Sequence, residues 1–139
     1  MELTLGCGGL RDGEFIAAFE ACRLDPARFH HRDHVRLAWL YAGLYSRAEA
    51  EEKLLSGIRR FAAKAGVPDK FQHTTTLAWA RLVANSRKKS NHQQTFVEWI
   101  ASHPEFLDRR LLDKYYSTGR LESEPARSTW VEPDLAVFD

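Results

Sequence analysis

Apolar residues separated by three and four positions recur through most of this chain, between residues that typically begin or end helices. The clearest segment begins with Ser46-Arg47-Ala48-Glu49, a capping box in which Ser46 and Glu49 each satisfy a free backbone amide. Gly66 and Pro68 end the same segment. Between these ends, apolar side chains repeat at helical spacing at Ala50, Leu54, Ile58, Phe61 and Ala65. Strand patterns are nearly absent, and the pattern predicts an all-α fold.

The same reasoning predicts the other elements. A second helix over His31–Tyr45 is apolar on most sides, which is typical of a central, buried helix. Further helices are expected over Asp12–Arg23, over Phe71–Ser86, around Phe96, Trp99 and Ile100, and over Asp108–Tyr116. Shorter features are a turn from Pro26 to Phe29, an exposed basic loop over Arg87–His92 and a short helix after Ser123.

We therefore expect a single domain, a bundle of five or six helices with an irregular C-terminal segment. Residues 1–11 are expected to be a loosely ordered lead-in, and Trp130 and Phe138 indicate that the tail lies on the body. A length of 139 residues, with 44% hydrophobic residues, suits one hydrophobic core.

Charge and hydropathy exclude several classes of function. Twenty basic residues nearly balance nineteen acidic ones, so a formal charge of +1 gives no electrostatic basis for general nucleic-acid or anionic-membrane binding. No apolar run approaches the roughly 20 residues that cross a bilayer. The N-terminus lacks a signal-peptide pattern, and Cys7 and Cys22 have no metal-type spacing. We expect a cytoplasmic protein with reduced cysteines.

The densest chemical feature is a histidine cluster, His30, His31 and His34, at the start of the second helix. His31 and His34 are three residues apart, and His30 and His34 four, so either pair projects from one side of a helix. Neutral imidazole is a good ligand for divalent zinc, iron, copper or nickel. A catalytic metal site usually needs a third protein ligand, for which the candidate is His73 near the start of the fourth helix. Parallel second and fourth helices would bring these starts to one end.

Other interpretations remain open. The histidines are also consistent with ordinary polar residues at a helix start, or with acid–base catalysis partnered by Asp33 or a tyrosine (Tyr41, Tyr115 or Tyr116). A small organic ligand would suit an inter-helix pocket lined by Trp39, Tyr41 and Trp79, with Arg32 and Arg36 available for a carboxylate. The hydroxyls of Thr74, Thr75 and Thr76 are expected to cap and back-bond the fourth helix.

A different class of function is a non-catalytic interaction module. The aromatic-rich C-terminal segment from Tyr115 to Trp130 would then dock on a partner protein or on a second copy of the chain, as in a homodimer.

Several short sequence blocks together resemble a group of small uncharacterised bacterial all-helical proteins with no assigned activity. The blocks are Phe29-x-His31-x-x-His34 leading to Ala38-Trp39, Gly66-Val67 with Lys70-Phe71, Thr74-x-Thr76 leading to Trp79, Leu111-Leu112 with Tyr115-Tyr116-Ser117, and Val131-Glu132-Pro133-Asp134. The resemblance implies a single helical domain and favours His31 over His30 as the partner of His34. The group's fourth helix opens with an aromatic residue, His and Glu, where this chain has Gln72-His73. A third metal ligand of the group would then be lost or shifted here, and a metal-free pocket is the rival.

Overall fold

Helices make up most of residues 9–138, the part of the chain that a computed structural model describes. The α-helices there are α1 (Asp12–Glu20), α2 (His31–Leu44), α3 (Arg47–Lys64), α4 (His73–Lys88), α5 (Phe96–Ser102), α6 (Thr118–Leu121) and α7 (Glu124–Ser128). Short 3-10 segments span Pro26–Arg28, Pro68–Lys70, Pro104–Leu107 and Arg109–Lys114. These residues form no β-strand, so the fold is all-α, as predicted. None of their helices combines the length and apolar character needed to cross a bilayer.

Helices α2 and α4 run parallel at the centre of the bundle. The ring of His31 packs edge-on against that of Trp79, with 4.5 Å between ring centroids. Eight residues further along both helices, the Arg87 guanidinium stacks on the Trp39 ring at 3.6 Å, and its Nη1 donates a hydrogen bond to the Trp39 carbonyl at 2.7 Å. Because the two contacts occur in the same order along α2 and along α4, the two helices are parallel. The predicted burial of α2 is confirmed, because Val35 through Tyr41 are all buried.

Helix α3 packs antiparallel to α4. Arg81 of α4 pairs with Glu51 at 3.1 Å, and Arg59, two turns further along α3, lies over the ring of Phe71 just before α4. Helix α1 closes on α3 at Gly57, where a Cβ atom would lie 2.6 Å from the Phe19 ring. The hydrogen at this position lets the fully buried Phe19 ring reach the core.

The C-terminal segment lies on the bundle and is tied to the start of α4. The buried Thr74 hydroxyl donates to the Thr129 carbonyl at 2.6 Å and accepts from the Val131 amide at 3.1 Å. The Gln72 side-chain amide donates to the Leu121 carbonyl. The segment's rings pack on one another, with 5.9 Å between the Trp130 and Phe138 centroids.

Several boundaries differ from the sequence prediction, among them the start of α4, which is His73 rather than Phe71. Helix α1 ends at Glu20 because Cys22 adopts a left-handed backbone with φ 56°, and the Arg23 amide then bonds back to the Ala18 carbonyl. The expected sixth helix is a 3-10 turn over Arg109–Lys114, a form common in short segments. Arg87 and Lys88 belong to α4 rather than to an exposed loop.

The predicted lead-in over residues 1–11 and the predicted reduced state of Cys7 concern residues that are wholly or mostly outside the described ones. Residues 1–8, which include Cys7 and most of the predicted lead-in, lie outside the described part of the chain. Leu10 is described, and its carbonyl accepts a hydrogen bond from Arg36 at 2.8 Å.

The double role of the Thr74 hydroxyl gives a stability prediction. We expect Thr74→Val to lower the free energy of unfolding by about 1–3 kcal/mol, because an isosteric methyl leaves the partly buried Val131 amide without its acceptor. The matched variant is Thr76→Val, because the Thr76 hydroxyl bonds the carbonyl of Gln72, the N-cap residue of α4, and not the C-terminal segment. That carbonyl keeps its backbone bond to the Thr76 amide, so a smaller loss is expected. Equal losses in urea unfolding would contradict this role.

Candidate functional site

A cleft of about 850 Å³ opens beside the start of α2. Its walls are mainly apolar and come from residues far apart in sequence: Phe29, Ile58, Phe61, Ala62, Ala65, Val67, Phe71, Trp79, Leu112 and Leu121. The polar and charged side chains that line it are His30, His31, His34, Lys70, Thr75, Arg109 and Asp113. A largely apolar cleft with a few polar groups is the usual form of a small-molecule site.

The first turn of α2 places two imidazoles at this cleft. The His30 amide donates to the Asp33 carboxylate at 2.9 Å, which closes the start of the helix. The buried Asp33 side chain is therefore a capping group. His31 and His34, which are three residues apart, both line the cleft, as their spacing on one side of the helix predicted.

His31 is held in one tautomer by a distant backbone carbonyl. Its Nε2 lies 2.9 Å from the carbonyl oxygen of Phe106, in the 3-10 turn after α5. Because a carbonyl only accepts, Nε2 carries the proton in the neutral ring and Nδ1 is left as the acceptor. Burial lowers the pKa of His31 and the Arg109 charge lowers it further, against the opposing effects of the Phe106 bond and Asp108.

His34 carries a buried polar atom without a partner. Its Nε2 is shielded from solvent and makes no hydrogen bond within the described residues. Burial, with smaller effects from His31 and Arg109, lowers the pKa of His34 to about 4, so the ring is neutral at pH 7. A buried group left unpaired costs about 1–3 kcal/mol, and such groups in native proteins usually have a functional reason.

His73 does not join the other two histidines. Thr75 and Trp79 are four residues apart and form the cleft face of α4. His73 precedes Thr75 by two residues, which rotates it by about 200° around the helix. It lies instead near Phe71. Burial lowers the pKa of His73 and the charges of Arg59 and Arg81 lower it further, against the opposing effect of Glu52.

The predicted three-histidine metal site is therefore not formed, although α2 and α4 are parallel as that prediction required. Helix α4 starts six residues before Trp79, the residue level with His31, so the two helix starts are offset by about 9 Å. Within residues 9–138, no three His, Cys, Asp or Glu side chains are grouped to hold a metal ion.

Of the three predicted pocket residues, only Trp79 lines the cleft. Trp39 is buried against Phe96 and Trp99 on another side of α2. The Tyr41 hydroxyl donates to the Glu20 carboxylate at 2.8 Å, and its ring lines a separate cavity of about 500 Å³. Helix periodicity assigned all three to apolar faces, but it did not fix which face meets which neighbour.

The arginines expected to serve a carboxylate are also placed elsewhere. Arg36 pairs with Asp12 at 2.9 Å, and Arg32 lies over the Phe96 ring. The arginine at the cleft is Arg109, which follows Asp108, the N-cap of a 3-10 turn. It lies 75 residues beyond His34 in sequence, and no local pattern connects the two.

The other proposed proton carriers lie away from the histidines. Tyr116 is buried, and its hydroxyl donates to the Val131 carbonyl at 2.9 Å. Burial raises its pKa to about 12. The ring of Tyr115 packs on that of Phe138. The aromatic side chains of the C-terminal segment thus contribute to packing.

Comparisons of this chain with protein-family models, with curated proteins and with solved structures found no match. Inferences about its function therefore rest on the geometry of the cleft.

The low pKa of His34 predicts a pH dependence of stability. Between pH 6.5 and about 4 the unfolded chain binds a proton that the folded ring resists, so the free energy of unfolding falls as the pH is lowered through this window. The loss amounts to at most about 3 kcal/mol, since one pKa unit corresponds to about 1.4 kcal/mol. His34→Gln should show a shallower decline in urea unfolding at pH 7, 5.5 and 4.5. Parallel curves for the two proteins would contradict the assignment.

Proposed function

We propose that this protein binds a small organic molecule with an apolar body in the cleft, through a polar group that hydrogen bonds to His34. The observation that carries the proposal is the buried, unpartnered Nε2 atom of a histidine that lines an aromatic and aliphatic cleft. A ligand oxygen would supply the hydrogen bond that the protein leaves unmade.

The character of the two imidazoles favours binding over proton transfer. An efficient general base has a pKa near the working pH, whereas burial brings the pKa of His34 to about 4. The Nε2 proton of His31 is held by the Phe106 carbonyl. Both rings are therefore neutral hydrogen-bonding groups in fixed positions, which is the arrangement that orients a ligand.

The walls supply the affinity. The Phe29 and Phe61 rings pack at 4.9 Å between centroids, and Phe19 supports both from α1. Aromatic surface of this kind prefers flat or ring-bearing ligands. Burying about 200 Å² of apolar ligand surface yields roughly 5 kcal/mol before the costs of association. Because those costs are subtracted from this figure, binding in the millimolar range is expected for a simple aromatic compound.

A cleft-filling substitution tests the proposal. The probe is 2-naphthalenemethanol, a neutral aromatic alcohol, titrated into the protein at pH 7.5 and followed by NMR. We expect saturable binding with shifts of the Trp79 indole signal, and we expect Ala65→Trp to abolish it, because Ala65 lines the cleft. Ala63→Trp, at an exposed position in the last turn of α3 and two residues before Ala65, should bind as the wild type does.

His34→Leu gives a second readout of the same proposal. Leucine keeps an apolar wall but offers no hydrogen bond, so we expect binding of the alcohol to weaken by roughly 5- to 10-fold, the effect of about one hydrogen bond. Absence of binding to the wild type, or equal binding by the Ala65→Trp variant, would refute the proposal.

A further inference from the structure

The charges around the cleft indicate what kind of polar group its ligand carries. Resting on the proposed function, we infer that the cleft binds an apolar monocarboxylic acid, with the carboxylate between the guanidinium of Arg109 and the imidazole of His34.

Arg109 is a cation without a counter-ion in the described part of the chain. Asp108 precedes it and Asp113 follows it by four residues, and both carboxylates interact with its neighbour Arg110. The Asp113 carboxylate lies 3.5 Å from Arg110 Nε, and the Asp108 carboxylate accepts from the Arg110 amide at 2.9 Å. Arg109 itself forms no ion pair among residues 9–138. A cation at the cleft is thus left for an anion from outside the chain.

The Arg109 charge lies near the two histidines of the cleft. It lies close enough to lower the pKa of both His31 and His34. Both rings line the cleft together with Arg109. The planar guanidinium binds a carboxylate through two parallel hydrogen bonds, and one carboxylate oxygen still has a lone pair for a further donor. In its Nε2-protonated tautomer, neutral His34 is that donor.

The rest of the cleft restricts the ligand to one acidic group on an apolar body. Among the described residues that line it, Lys70 is the other cation, Thr75 is the one hydroxyl group, and the acidic side chain is Asp113, which pairs with Arg110. Sugars and nucleotides would need several more hydrogen-bonding side chains than the aromatic and aliphatic walls provide. A hydrocarbon body matches the aromatic and aliphatic walls, and a single carboxylate matches Arg109 and His34.

A matched pair of probes tests whether a negative charge on the ligand strengthens its binding. We would measure the Kd of 2-naphthoate and of 2-naphthalenemethanol at pH 7.5 for the wild type, Arg109→Gln and Arg32→Gln. Arg32 is an exposed cation next to His31 that does not line the cleft, so its variant removes the same charge at a similar place. Thermal unfolding of all three proteins checks that they remain folded.

We expect the wild type to bind naphthoate at least 10-fold more tightly than the alcohol. Arg109→Gln should weaken naphthoate binding by about 10-fold and leave binding of the alcohol within 2-fold, and Arg32→Gln should leave both within 2-fold. Equal affinity for acid and alcohol, or equal effects of the two substitutions, would overturn the carboxylate inference but not the proposed function. Absence of binding by both probes would overturn the two together.

Discussion

The parallel contact between α2 and α4 places His31 and His34 beside Thr75 and Trp79 at the candidate site. His31 meets Trp79 at one end of the contact, and Trp39 meets Arg87 eight residues later. The guanidinium of Arg87 binds a main-chain carbonyl as well as a ring face, so the helices are locked in register over about 12 Å. A slip of one residue would turn α4 by about 100° and remove Trp79 from the cleft.

Local sequence was sufficient for most of the fold because helix ends depend on a few neighbouring residues. The Ser46 hydroxyl accepts from the Glu49 amide at 3.3 Å, and Gly66 takes a left-handed φ of 80° at the end of α3, as their residue types predicted. The predictions of helix ends that were wrong concern positions whose conformation depends on contacts with residues distant in sequence. Left-handed backbone at Cys22 is unusual for a residue with a side chain, and no local signal marks it.

The site was predictable only in part for the same reason. The spacing of His31 and His34 places two rings on one side of a helix whatever surrounds it. The Phe106 carbonyl, the Arg109 charge and the rotation that turns His73 away all depend on how helices pack, and helical periodicity does not determine packing partners. The interaction role predicted for the C-terminal segment also remains a prediction, although its rings contribute to packing on the bundle.

The attachment of the C-terminal segment also bears on when the cleft exists during synthesis. Leu121 forms part of the wall, and its carbonyl is held by Gln72 across 49 residues of chain. Leu112 and Arg109 likewise follow the central helices in translation order. A nascent chain that has released only α1 to α5 from the ribosome therefore presents His31 and His34 to water on an unfinished surface. The proposed ligand would then act only on the completed protein, as a late stabiliser of the folded state and not as a template for folding.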